Sequence, residues 1–259
     1  MTDTRVLPLE AVHNFRDYGG YATTDGRRVR TGLLWRSAQH GDATTADLDA
    51  INALGLTTVV DLRGPSEREA KPCVRHPGFS AQVFAYPEET AGLALHTEAA
   101  DGAISADMAR RAMIRLYEGI AYRENLVPML RCHFEVLRRA EGPSLVHCVA
   151  GKDRTGFAVA LVHHALGVPR EAIVEDYLLT NSAGNIEARI ASGALPMRER
   201  YPGIDDATIR TLMGVDADYI DTAIRAVERR HGTIDSYLDQ VIGIDAAARD
   251  ALREHYLEG

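Results

Sequence analysis

The stretch His147-Cys148-Val149-Ala150-Gly151-Lys152-Asp153-Arg154-Thr155-Gly156 sets a thiol, a carboxylate, a guanidinium and two glycines side by side. That combination suits chemistry at a phosphoryl group. A phosphoryl dianion needs a cradle of backbone N–H donors, and a loop feeding a helix N-terminus supplies them with the positive end of the helix dipole. Val149, Ala150, Gly151 and Lys152 are the candidates for that cradle. The same field favours a thiolate: a cysteine facing a helix N-terminus and an arginine has its pKa moved from about 8.5 into roughly the 3.5–7.5 range. Cys148 would then be nucleophilic at neutral pH. Arg154, six residues on, can curl its planar fork toward two phosphate oxygens, a contact that lysine cannot reproduce.

These residues need a strand before them and a helix after them. Leu145-Val146-His147 reads as a strand, and Thr155 to Leu166 as a nearly all-apolar helix ended by Gly167 and Pro169. Cys132 and Arg138 repeat the same spacing, but that stretch has no glycine and lies within the helical stripe of Leu126, Leu130, Phe134 and Leu137. It is a decoy. Upstream, Leu33-Leu34-Trp35 is a candidate strand, and Thr44 with Asp47 makes a capping-box pattern before the helical spacing of Leu48, Ile51 and Leu54. Thr57 to Leu62 and Gln82 to Tyr86 read as buried strands, and Ser105 as the cap of a helix striped by Met108, Met113, Leu116 and Ile120. From Pro169 onward the pattern is helical, with Ile220, Ala223, Ile224 and Val227 as one stripe and Gly232 as its stop. Strands alternating with helices predict an α/β fold with a mainly parallel central sheet flanked by helices and a helical elaboration over about 169–259. No composition break divides the chain, so 1–259 reads as one domain.

Composition narrows the partners. With 259 residues and 46% hydrophobic content the chain can bury a sizeable core, and a formal net charge of -8 argues against nucleic acid or an anionic membrane as a general partner. Of 29 basic residues only Lys71 and Lys152 are lysines. Cys73, Cys132 and Cys148 are too few and too irregularly spaced for a disulfide framework, which favours a reducing compartment. No apolar run approaches a signal core or a membrane span, so neither stable membrane insertion nor secretion by a signal is expected. The expectation is a cytoplasmic protein, with signal-independent export left open.

The segment His147 to Gly156 resembles the signature loop of protein tyrosine phosphatases, in particular the bacterial group similar to mycobacterial protein tyrosine phosphatase B and related lipid-active phosphatases. Asn14-Phe15-Arg16-Asp17 with Gly19-Gly20, Trp35-Arg36-Ser37, Val60-Asp61-Leu62-Arg63, Asp176 to Asn181, His231-Gly232 and Tyr237-Leu238 extend the resemblance along nearly the whole chain. It implies the protein tyrosine phosphatase-like fold and a cysteine-dependent hydrolysis of phosphotyrosine-type esters through a phosphocysteine. Phosphoserine, phosphothreonine and phosphoinositides are further possible substrates. The partners would be a phosphorylated protein or a phospholipid headgroup, with phosphate or vanadate as active-site anions. No cofactor or metal is required.

The resemblance also makes Asp153 the proton donor to the leaving oxygen, with Glu88 or Glu89, after the Gln82 to Tyr86 strand, as rival acids. Simple neutralisation of Lys152 or helix capping is the plainer role for Asp153. Lys152 either widens the positive field for multiply phosphorylated ligands or pairs with a residue such as Asp61. Asp61 and Arg63 lie where a parallel sheet collects ligands, so they are candidate substrate contacts, a plain salt bridge being the alternative. Thr155 either donates to the departing sulfur or caps the helix. His147 is expected to order the loop, and His163 and His164 to pack. The segment from Gly184 to Asp206, with Arg189, Pro196, Arg198, Arg200, Pro202 and Gly203, reads as a solvent-exposed connection or a lid. Two other activities use such a loop: phosphate recognition without turnover, and sulfur transfer or arsenate reduction with Cys73 or Cys132 as a resolving thiol.

Overall fold

The computed structural model describes residues 5–91, 104–183 and 186–259. Among these residues seven strands form two sheets. The central one has the order β1 (Arg16–Asp17), β3 (Leu34–Ser37), β6 (Ser144–His147), β4 (Thr58–Asp61), β5 (Gln82–Ala85). The other pairs β2 (Arg28–Val29) with β7 (Leu257–Glu258). In the central sheet only the β1–β3 pair is antiparallel. The register puts His147 opposite both Ser37 and Asp61, so three parallel strands end level. The chain leaves that edge into Cys148, the place where open parallel sheets gather ligands.

Strand side chains alternate between two cores. Val60 and Val146 face a large apolar cluster, while Val59 and Leu145 face a smaller one with Ile51, Val12 and Phe15. Helix α1 (Thr45–Asn52) covers the smaller face, and the capping box of Thr44 and Asp47 is present. On the larger side lie α3 (Ala106–Ile120), capped by Ser105, α4 (Leu126–Arg139), α5 (Asp153–Leu166) and α6 (Arg170–Leu178). The decoy Cys132 and Arg138 both sit inside α4. Helix α5 is buried along almost its whole length and ends on Gly167 at φ +86°, as its all-apolar composition requires. A short α2 (Pro65–Ala70) follows β4, and α7 (Ile186–Arg200), α8 (Asp206–Met213), α9 (Ala217–His231), α10 (Ile234–Tyr237) and α11 (Ala246–Tyr256) complete the helical C-terminal part.

Two sequence expectations change. Gln82 to Tyr86 is not a buried strand: β5 is the sheet edge, and Val83 is 45% exposed. The segment expected to be a solvent-exposed connection is mostly helix α7, with Pro196 inside it. Proline there costs about 3 kcal/mol, but Ile190, Ala194 and Met197 share one face and pack on the large core. Gly184 and the side chains of Arg189 and Arg200 lie outside the described residues. Among the described residues no helix is long and apolar enough to cross a membrane.

Candidate active site

Cys148 leaves the end of β6 and is 3% exposed. Lys152 is the residue before the first turn of α5, so the loop between sulfur and helix is Val149, Ala150, Gly151 and Lys152. Among the described residues the backbone N–H groups of Val149, Ala150, Gly151, Asp153 and Arg154 find no acceptor in the protein. Unsatisfied donors at a helix start suit an anion.

Remote residues hold the loop in that shape. The Gly151 carbonyl accepts from Asn14 Nδ2 at 2.7 Å and from Arg36 Nη2 at 2.9 Å, two buried side chains that fix its direction. Gly151 is at φ +62°, and a Cβ there would collide with the Ser37 carbonyl, so only glycine fits. Arg36 and Arg16 both grip Asp176, at 2.6 and 3.2 Å, with all three side chains essentially inaccessible. Burial and then the neighbouring Arg36 lower Arg16 to about 10. The two guanidiniums overcome burial at Asp176 and hold its carboxyl far below the usual range. Arg16 also donates to Asn14. The scattered Asn14, Arg16, Arg36 and Asp176 motifs thus form one support beneath the loop.

Arg154 is buried but fully paired on one edge. Its Nη1 donates to Glu67 Oε2 at 2.6 Å, to Thr90 Oγ1 at 3.0 Å and to the Leu62 carbonyl at 3.1 Å, while Nη2 reaches Glu67 Oε1 at 2.7 Å. Burial alone would lower the Arg154 pKa, but the Glu67 hydrogen bonds and the nearby Cys148 charge raise it. At Glu67 burial is likewise outweighed by Arg154, and its carboxyl pKa falls. This end-on grip uses Nη1 and one Nη2 proton, so among the described residues the Nε–H and the second Nη2–H are left as an unpaired side-on edge. The sequence reading missed Glu67 and Thr90. It also missed Arg123, half-buried and close enough to Arg154 and Asp153 for both charges to act on it.

Asp153 opens α5 with its side chain 25% exposed. Its Oδ1 accepts from Tyr117 at 2.7 Å and lies 3.7 Å from Lys152 Nζ. Lys152 Nζ donates to the Leu212 carbonyl of α8 at 2.5 Å. Asp61 is not the partner suggested for Lys152; it pairs with Arg63 at 2.7 Å.

A family model described as tyrosine phosphatase family matches residues 7–258. The chain belongs to the tyrosine phosphatase family. It is 34% identical over 266 residues to a Cupriavidus necator protein named as a tyrosine-protein phosphatase, covering 98% of this chain and 89% of that one. It is 32% identical over 277 residues to the triple specificity protein phosphatase PtpB of Mycobacterium tuberculosis, covering 96% of this chain and 98% of PtpB. The crystal structure of TpbA from P. aeruginosa aligns at 16% identity and a TM-score of 0.31 over 80% of this chain and 97% of TpbA.

The remaining candidates of this phosphatase take other places. Arg63 sits on Asp61 and also donates to Gln39 Oε1, the Lys71 carbonyl and Cys73 Sγ, and both members of the pair are buried. They tie the β4 end to the 71–73 segment. Asp61, Cys73 and His147 bring potential ligand atoms within 4.8 Å of one another. The Arg63 guanidinium donates to two of the three, and its charge opposes a cation there. Among the described residues the buried Thr155 Oγ1 has no hydrogen-bond partner, neither the Cys148 sulfur nor a backbone group at the start of α5. His147 Nδ1 lies 3.3 Å from the Cys148 carbonyl, and its ring stacks on His40 at 5.3 Å. Burial lowers His147 to about 4, so it is neutral. Glu89 accepts from Ser66 N at 2.8 Å at the start of α2, and Glu88 is exposed. His163 packs between Tyr18 and Tyr21, and His164 meets Asp235 at the surface.

Proposed function

We propose that this tyrosine phosphatase works through Cys148, Arg154 and Asp153. The Cys148 sulfur attacks phosphorus, the bond to the leaving oxygen breaks, and Asp153 gives that oxygen its proton. The amides of Val149, Ala150, Gly151, Asp153 and Arg154, with the free edge of Arg154, stabilise the equatorial oxygens. Water then attacks the phosphocysteine, Asp153 recovers a proton, and the S–P bond breaks to release phosphate. The observation that carries this reading is, among the described residues, the set of unpaired amides around a buried cysteine, beside an arginine whose side-on edge has no partner.

Asp153 is preferred as the acid over Glu88 and Glu89 because it opens α5 directly after the loop and is partly exposed, whereas Glu89 caps α2. Asp61 and Arg63 act as supports and not as substrate contacts. Thr155 and Lys152 remain in the site, Lys152 adding positive charge beside Asp153. A phosphotyrosine side chain on a protein is the substrate we favour. Phosphoserine, phosphothreonine and phosphoinositides are secondary candidates, in keeping with the triple specificity named for PtpB. Vanadate would occupy the cradle as a trigonal-bipyramidal mimic. Three free cysteines suit a reducing cytoplasm, and the β2–β7 pairing supports treating 1–259 as one phosphatase domain.

The test is a side-by-side turnover profile of the wild type and Cys148→Ser on phosphotyrosine, phosphoserine and phosphothreonine peptides and on phosphoinositides. Activity that survives Cys148→Ser would overturn the mechanism. Sulfur transfer without phosphate release would favour the competing thiol chemistry.

A further inference from the structure

Asp153 has one oxygen engaged and one not. Oδ1 receives the Tyr117 hydroxyl at 2.7 Å and faces Lys152 Nζ at 3.7 Å, while among the described residues Oδ2 has no hydrogen-bond partner. Tyr117 comes from α3 and is 0% exposed, with its ring stacked on Tyr219 at 5.6 Å. Its hydroxyl also lies 2.6 Å from that of Tyr177, a residue of α6 that is 1% exposed. A phenol has one proton, and Tyr117 commits its own to Asp153, so Tyr177 is the donor in the pair. The Tyr177 ring is fixed in turn by the first turn of α5: a Cβ on Gly156 would lie 2.9 Å from two of its ring carbons.

We propose that Tyr117, backed by Tyr177, positions the general acid. This rests on Asp153 being that acid. With Oδ1 always accepting from Tyr117, the proton that Asp153 exchanges is confined to Oδ2, the oxygen open to a ligand. In the first step the Oδ2–H bond breaks as the leaving oxygen takes the proton, and the Tyr117 hydrogen bond stabilises the carboxylate left behind. In the second step Oδ2 takes a proton from the attacking water, again with Oδ1 held. Burial keeps both phenols protonated by raising their pKa values far above the ordinary tyrosine range, with the Asp153 charge adding to the effect. Tyr117 and Tyr177 touch no reacting atom, so they are positioning residues. Their effect should therefore scale with how much the leaving group needs a proton.

The test compares phenyl phosphate, whose leaving group needs the acid, with 2,4-dinitrophenyl phosphate, whose leaving group does not. Asp153→Asn should lower kcat/KM, which reports the first step alone, about a hundredfold more on phenyl phosphate than on the activated ester. Tyr117→Phe should lower the same ratio about tenfold and Tyr177→Phe about threefold, as expected for one hydrogen bond to a charged group and its support. Tyr117→Phe added to Asp153→Asn should bring no further change in the ratio, because the two act through one proton. A purely structural role would lower both esters together. Equal losses on both esters, or no loss, in the two tyrosine variants while Asp153→Asn keeps its leaving-group dependence would remove the positioning role and leave the acid in place. No leaving-group dependence in Asp153→Asn would remove the acid, and the tyrosine role with it. If Tyr117→Phe does not fold, Tyr177→Phe decides by the same ratio.

Discussion

Glu67→Gln isolates the residue that aims Arg154. The wild-type contact is bidentate, with distances of 2.6 and 2.7 Å between side chains 10% and 21% exposed. Unit charges about 4 Å apart interact by about 4 kcal/mol at an effective dielectric constant of 20. Partial exposure and desolvation reduce this toward the ~1.5–3 kcal/mol of a hydrogen bond to a charged group. Glutamine keeps one acceptor but sets an NH2 against an arginine N–H, so most of that is lost and the guanidinium is free to turn its side-on edge away. If about half of the loss appears in the transition state, kcat/KM falls roughly three- to tenfold. The assay is steady-state hydrolysis of an aryl phosphate together with vanadate affinity, and the two should weaken in parallel. The melting temperature should fall by only a few degrees. A variant with kcat/KM and vanadate affinity within about twofold of wild type would refute the claim that Glu67 aims Arg154.

Asp176→Asn leaves Arg16 and Arg36 buried without their carboxylate, and by denaturant titration should cost about 3–5 kcal/mol. Gly151→Ala must distort the loop against the Ser37 carbonyl, so it should abolish turnover and vanadate binding while the circular dichroism spectrum stays native. Burial depresses His147 to about 4 and His133 to about 3, and also lowers His40 and His163. The unfolded chain thus binds more protons below about pH 6.5, and stability should drop progressively as pH falls from about 6.5 toward 4, by up to ~1.4 kcal/mol per pH unit for each histidine. Flat melting temperatures over that window would contradict it. EDTA should leave turnover unchanged, and vanadate should inhibit competitively.

Much of the site was readable because its logic is local. Strand, cysteine, glycine, arginine and apolar helix follow one another in sequence, and each leaves a mark in periodicity or punctuation. What escaped is held by distant partners: Glu67 meets Arg154 from 87 positions away, and Tyr117 meets Asp153 from 36. A glutamate three residues into a short helix looks like an ordinary capping residue, and a tyrosine in an apolar stripe looks like core. Asp61 and Arg63 were placed at the correct sheet edge, but their mutual pairing depends on side-chain direction, which spacing does not encode. Edge position explains the exposed β5, and the face of Ile190, Ala194 and Met197 was hidden by the proline between them.

The grip of Asn14 and Arg36 on the Gly151 carbonyl, with Asp176 behind it, bears on protein engineering. The signature stretch is not a portable cassette: excised as a peptide or grafted onto a foreign strand and helix, it would lack the buried clamps that fix its carbonyl. A designer moving this loop to a new scaffold has to carry over an asparagine, two arginines and an aspartate from three separate parts of the chain, none of which lies in the loop itself.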